Sequence, residues 1–214
     1  MLRLYTYFRS SAAFRTRIAL NLKGLTYESV PVHLARGDQH GESFSERNPL
    51  HLIPVLEDEG LRISQSLAII EYLEERYPQP PLLPGAAAAR AEVRSLALSI
   101  ACDIHPLNNL RVLLYLKSPL GVSEEARNEW ARHWITLGFT ALEQRLAHGG
   151  YSGRCCYGDN PGMADCCLIP QTVNAHRVQC SLEPFPTIRR IYDYCMGLEA
   201  FQKAAPAAQS DFES

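Results

Sequence analysis

Three residue pairs in the first third of the chain are of types that hold anions or an extended peptide: Ser10-Ser11, Ile53-Pro54 and Gln65-Ser66. Ser10-Ser11 separates an alternating segment, Leu2 to Tyr7, from one with Phe14, Ile18, Ala19 and Leu22 at helical spacing. A helix start carries unpaired N–H groups and about half a positive charge, so serine there gathers hydroxyl and backbone donors around an anion such as a thiolate. Serine is equally a preferred N-cap, a role that needs no ligand. Ile53-Pro54 lies between a loop and a strand edge; a cis bond there would turn the Ile53 backbone outward to pair with an extended peptide. Gln65-Ser66 opens a second amphipathic helix through Leu67, Ile70, Leu73 and Tyr77, a second helix start suited to a carboxylate. A short acidic thiol peptide satisfies all three.

The elements that must position these pairs follow in a readable order. Leu2 to Tyr7 reads as a strand, and the next helix ends at Lys23-Gly24, with a cation in the last turn and glycine for the left-handed cap. Tyr27 to Leu34 is a second strand, followed by an irregular polar stretch from Ala35 to Arg47 and a turn at Asn48-Pro49. Ile53 to Ile63 forms a hairpin around Asp58-Glu59-Gly60, and the second helix follows. The proline-rich run Gln79 to Gly85 predicts a boundary between an α/β domain, 1–80, and an all-α domain, 86–214. Beyond it the spacing predicts helices only, over 86–101, 124–146, 165–178 and 187–196.

Bulk properties narrow the function. The 214 residues are 46% hydrophobic and 21% charged with a net charge of -2, so no global field recruits nucleic acid or an anionic membrane. No apolar run approaches the ~20 residues of a membrane span, and the start lacks a signal-peptide core, which points to a soluble, cytoplasmic protein. The seven cysteines are odd in number, include the vicinal pairs Cys155-Cys156 and Cys166-Cys167, and form no CxxC or Cys/His ladder. They read as small buried hydrophobes in a reducing compartment, and no metal is expected. Cys102 to Arg111, by contrast, is a polar break in an apolar helical region, the mark of a cleft or an interface.

Tyr7-Phe8-Arg9-Ser10-Ser11-Ala12-Ala13-Phe14-Arg15-Thr16-Arg17-Ile18-Ala19-Leu20 resembles the serine-rich opening motif of zeta-class glutathione transferases. Asn48-Pro49 with Ile53-Pro54, the run Gln65 to Glu75, Met163-Ala164-Asp165 and Leu198-Glu199-Ala200-Phe201 extend the resemblance to nearly the whole chain. It implies the glutathione-transferase fold, an α/β thioredoxin-like N-terminal domain plus an all-α C-terminal domain, with glutathione as cofactor and a homodimer as the assembly. By the same resemblance Gln39, Ile53, Gln65 and Ser66 fall at glutathione-contacting positions of the first domain, and His105, Asn109 and Arg111 at those of the second. Asp103 is a candidate partner of the glutathione ammonium across a dimer interface. Two positions depart from the family: Ala12 stands where a cysteine is usual, and Gly162 where the helix cap is usually serine or threonine. The first weakens side activities that need a second thiol; the second leaves Asp165 to complete half of a capping box.

The chemistry expected is cis–trans isomerisation of a maleyl keto acid: thiolate addition to the cis double bond, rotation in the enolate, then elimination. Ser11, supported by Ser10, is the candidate thiol-holding residue, with Tyr7 as its rival near the end of the first strand. Arg9, Arg111 and Arg177 are candidates for the carboxylates and the enolate of a dicarboxylate substrate, because guanidinium matches carboxylate with two parallel bonds. Maleylacetoacetate is placed first and maleylpyruvate second as the substrate. The alternative chemistry is glutathione conjugation to small electrophiles, and the alternative class a non-enzymatic docking module.

Overall fold

The computed structural model describes residues 1–213, which form two compact units: residues 1–83 with 196–213, and residues 84–195.

In the first unit β1 (Leu2–Thr6) pairs in parallel with β2 (Tyr27–Pro31), Leu2 opposite Tyr27. On its other side β1 pairs antiparallel with β3 (Val55–Asp58), Tyr5 opposite Val55, and β3 pairs with β4 (Leu61–Ser64). The sheet order is β2-β1-β3-β4. β1 is thus central, and Leu4, Tyr5 and Thr6 are all buried rather than alternating. β2 stops short of the expected Leu34 because its partner β1 ends at Thr6, whose carbonyl takes the Val32 N–H at 2.7 Å; the next amide, His33, donates to the Asp38 carboxylate at 3.0 Å. Two helices complete the α/β layer, α1 (Ser11–Leu22) and, beyond the four-residue turn α2 (Glu42–Ser45), α3 (Ser66–Arg76). Lys23 is not a solvated capping cation: its Nζ is buried, 2.9 Å from Glu74 Oε2, and also donates to the carbonyls of Tyr77 and Pro80. Glu74 in turn accepts from the N–H groups of Leu82 and Leu83, so one buried ion pair fastens the proline-rich segment to α3.

The second unit contains α4 (Ala87–Leu98), α5 (Leu110–Lys117), α6 (Glu124–His148), α7 (Met163–Arg177) and α8 (Pro186–Met196). The alanine-rich helix gives way at Ser99 to a π turn, Ser99–Ile104, and then a 3-10 turn, His105–Asn108, which is where the sequence marked a polar break. α5 was not marked from the sequence: its apolar residues run almost continuously over eight positions, which helical spacing does not single out, and the fold leaves all of them unburied. The expected extent of the second domain, 86–214, is corrected at its end. α9 (Glu199–Ala204) packs on α1, with Phe201 fully buried and the Ala200 carbonyl accepting from Asn21. Helical periodicity identifies such a helix but not the unit that receives it.

Six cysteines are buried and in no disulfide, as expected of small hydrophobes, whereas Cys102 is exposed. Burial pushes the Cys156 thiol well above its ordinary value, and it stays protonated at neutral pH.

Candidate active site

The loop from β1 into α1 divides the labour of its two serines. Ser10 is the N-cap, its Oγ accepting from the Ala13 N–H at 3.2 Å, so the capping role expected of such a serine belongs to it. Ser11, the first helical residue, is half-buried and its hydroxyl has no hydrogen-bond partner among the described residues. It therefore stands at a helix start with a hydroxyl to offer. Tyr7 is 5% exposed, its ring edge-on to Phe8 and His33 at 4.7 and 4.8 Å, and burial raises its pKa. Packing is thus the role this geometry gives Tyr7. Arg9 is exposed and makes no ion pair among the described residues.

The loop's shape is set by Arg17, a residue the sequence treated only as part of a motif. Its fully buried guanidinium donates to Thr6 Oγ1 at 2.8 Å, to the carbonyls of Tyr7 and Phe8 at 3.2 and 3.3 Å, and to the Ala204 carbonyl at 2.9 Å. Burial lowers its pKa to about 10, which leaves it charged at neutral pH. The readable signal was a cation at helical spacing between Phe14 and Ile18 on the apolar face of α1. Outside the loop, the Phe8 N–H donates to Asp211 Oδ2 at 3.0 Å, so the C-terminal segment also fixes it.

The other sequence-marked pairs lie around the same helix. The Ile53–Pro54 bond is cis, and Ile53 belongs to the buried cluster that also contains Tyr7, Phe8 and Ala13. Gln65 precedes α3 in a left-handed conformation, φ 72, with an exposed side chain that caps nothing. Ser66, first in α3 and 6% exposed, accepts from Arg15 Nη1 at 3.3 Å. Gln39 sits in the short turn Asp38–His40; its carbonyl accepts from His51 Nδ1 at 2.9 Å, while its side-chain Oε1 is buried without a protein partner. Such an orphaned acceptor suits a ligand N–H. His51, which orders this turn at φ 55, was not marked from sequence; its signal was its place just after Asn48-Pro49.

In the second unit the polar segment is internally bonded. His105 Nε2 lies 3.1 Å from Asn109 Nδ2, and Asn109 Oδ1 caps α5 by accepting from the Arg111 N–H at 3.1 Å. The Arg111 side chain and Asp103 are exposed, and Asp103 has no partner among the described residues. Arg177, in the last turn of α7, donates to Asn174 Oδ1, and Asn174 Nδ2 donates to Asn108 Oδ1 at 2.6 Å. Asn108 and Asn174, both buried and neither marked from sequence, thereby tie the turn bearing Arg177 to the segment leading into Arg111. At the other end of α7, Asp165 accepts from the N–H groups of Gly162 and Cys156 at 2.9 and 2.8 Å, the half capping box expected.

Comparison with known proteins defines the class. The family model "Glutathione S-transferase, N-terminal domain" matches residues 1–75. A probable maleylacetoacetate isomerase of Vibrio cholerae is 51% identical over 97% of both chains. Among solved structures, the holo form of a maleylpyruvate isomerase, a bacterial zeta-class glutathione S-transferase, is 47% identical with a TM-score of 0.97 over 99% of this chain and 100% of its own. A maleylacetoacetate isomerase from Methylobacterium extorquens AM1, solved with malonate and glutathione bound, is 41% identical with a TM-score of 0.95 over 99% of this chain and 100% of its own. This chain belongs to the zeta class of the glutathione S-transferase family.

Proposed function

We propose that this protein is a glutathione-dependent cis–trans isomerase of maleyl keto acids, with maleylacetoacetate as its first substrate and maleylpyruvate as the alternative. The observation that carries the reading is the unequal pair of serines at the start of α1, Ser10 used as cap and Ser11 left with a free hydroxyl. Bound glutathione supplies the thiolate nucleophile that adds reversibly to the activated double bond and leaves once that bond has rotated.

The chain's own residues do the rest. Ser11 holds the sulfur as thiolate with its hydroxyl and the first N–H groups of α1, and Ser10 keeps that helix start in shape. The Ile53 backbone pairs with the peptide as an added strand, Gln39 Oε1 takes a ligand N–H, and Gln65 and Ser66 receive a carboxylate at the start of α3. His105, Asn109, Arg111 and Asp103 complete the glutathione contacts, Asp103 toward the ammonium. Arg9, Arg111 and Arg177 meet the substrate carboxylates and the negative charge that develops on its keto oxygen. A net charge of -2 makes such placed cations necessary. The working form is a cytoplasmic homodimer.

Assaying both cis keto acids with and without glutathione, beside a generic aryl halide, tests the reading. Rapid isomerisation that requires glutathione, with slow conjugation, is the expected outcome. Fast conjugation without isomerisation would make the protein a detoxifying transferase instead.

A further inference from the structure

Arg15 is an unusual residue to find inside α1. It is 2% exposed, and burying a guanidinium is costly unless its donors are used. It follows Ser11 by four residues, so the two share one face of the helix. From there its Nη1 crosses to α3 and donates to Ser66 Oγ at 3.3 Å. A serine oxygen that accepts from a guanidinium must point its own hydrogen elsewhere, because arginine offers no acceptor. Ser66 is therefore held as a donor.

The surroundings give that donor a partner of one sign. Ser66 is not consumed as a cap, since the cap position is Gln65, whose side chain caps nothing. The first N–H groups of α3 have no carbonyl of their own helix to meet, and the guanidinium adds positive charge behind the hydroxyl. Donor direction, helix start and buried cation together favour a carboxylate and disfavour an ammonium. We infer that Arg15 is a positioning residue that fixes Ser66 as the hydrogen-bond donor to a carboxylate of glutathione. The inference rests on the reading of Ser66 given above. It also makes one turn of α1 serve both ends of the cofactor, Ser11 at the sulfur and Arg15, through Ser66, at the carboxylate.

A double-mutant cycle on the intact protein tests this, with glutathione binding read by calorimetry and KM and kcat read from the isomerase assay. Arg15→Met is expected to weaken glutathione binding about tenfold, the worth of one charge-assisted hydrogen bond. The loss should fall on the KM for glutathione rather than on kcat at saturating glutathione. In a Ser66→Ala background the same change should cost less than about twofold, because the route through Ser66 is already gone. Arg15→Lys, which keeps the charge without the planar fork, should recover part of the affinity, and its own cycle carries the test if Arg15→Met does not fold. An equal loss in both backgrounds, or no loss beside a clear loss in Ser66→Ala, would overturn the role of Arg15 while leaving Ser66 in place. Unchanged binding in Ser66→Ala would overturn both.

Discussion

At the residue scale, the site depends on side chains whose neighbours decide what they are free to do. Ser10 and Ser11 are chemically identical and adjacent, yet one is consumed by the Ala13 N–H and the other is not. Sequence could nominate the pair and favour Ser11, but the division follows from which hydroxyl reaches the third amide of the helix. Arg17 was harder to read, because an arginine within a helix is ordinarily a surface charge. Here it gathers three carbonyls and a threonine hydroxyl, and of the carbonyls that of Tyr7 also accepts from the Ser10 N–H. Arg17→Met is expected to destabilise the protein by ~3 kcal/mol or more, measured by urea unfolding, since several acceptors lose their partner at once. A cost under ~1 kcal/mol would mean that the loop is held by something else. The native pKa of about 10 lies below the ordinary guanidinium value, so the folded state gives up this proton first and stability gains from it only above about pH 10. At neutral pH Arg17 contributes no slope.

At the element scale, helix starts carry both the chemistry and much of the folding information. Strands and most helices were legible because alternation and helical spacing are local properties. β2 was overextended because its partner β1 ends at Thr6, and α5 was missed because a short, almost continuous apolar run shows no helical spacing. The α7 start was legible in half: Asp165 reaches the Gly162 N–H as expected, while its second bond to the Cys156 N–H depends on a loop nine residues back. Burial raises the Asp165 pKa above 3.8, more than its backbone bonds lower it. Between the ordinary and the raised value the native state holds a proton that the unfolded chain has lost, so this group's contribution to stability falls as pH rises through that window. Asp165→Asn removes the ionisation. The excess stability of the wild type over that variant should therefore shrink as pH is raised from acid toward neutral, measured by denaturant unfolding at several pH values. A gap that widened with pH would contradict burial as the larger influence on this carboxylate.

At the scale of the whole molecule, two compact units make up a chain of the zeta class of the glutathione S-transferase family. The two compact units divide between Leu83 and Pro84, within the proline-rich run Gln79 to Gly85. The return of the C-terminal segment to the first unit was not legible, since it rests on long-range contacts such as Ala204 to Arg17 and Asp211 to Phe8. The Asn108–Asn174 bond was hidden for the same reason. We propose that the helix start at Ser11 keeps the glutathione sulfur ionised. A titration of the ultraviolet thiolate absorbance of bound glutathione, wild type beside Ser11→Ala and Tyr7→Phe, tests it most directly. The wild-type and Tyr7→Phe proteins should bind glutathione with a thiol pKa lowered by ~2 units from its free value of ~8.5. Ser11→Ala should return it toward that value, with turnover at neutral pH falling in parallel. A thiolate unchanged in Ser11→Ala and lost in Tyr7→Phe would make Tyr7 the residue that holds the sulfur and overturn the role of Ser11.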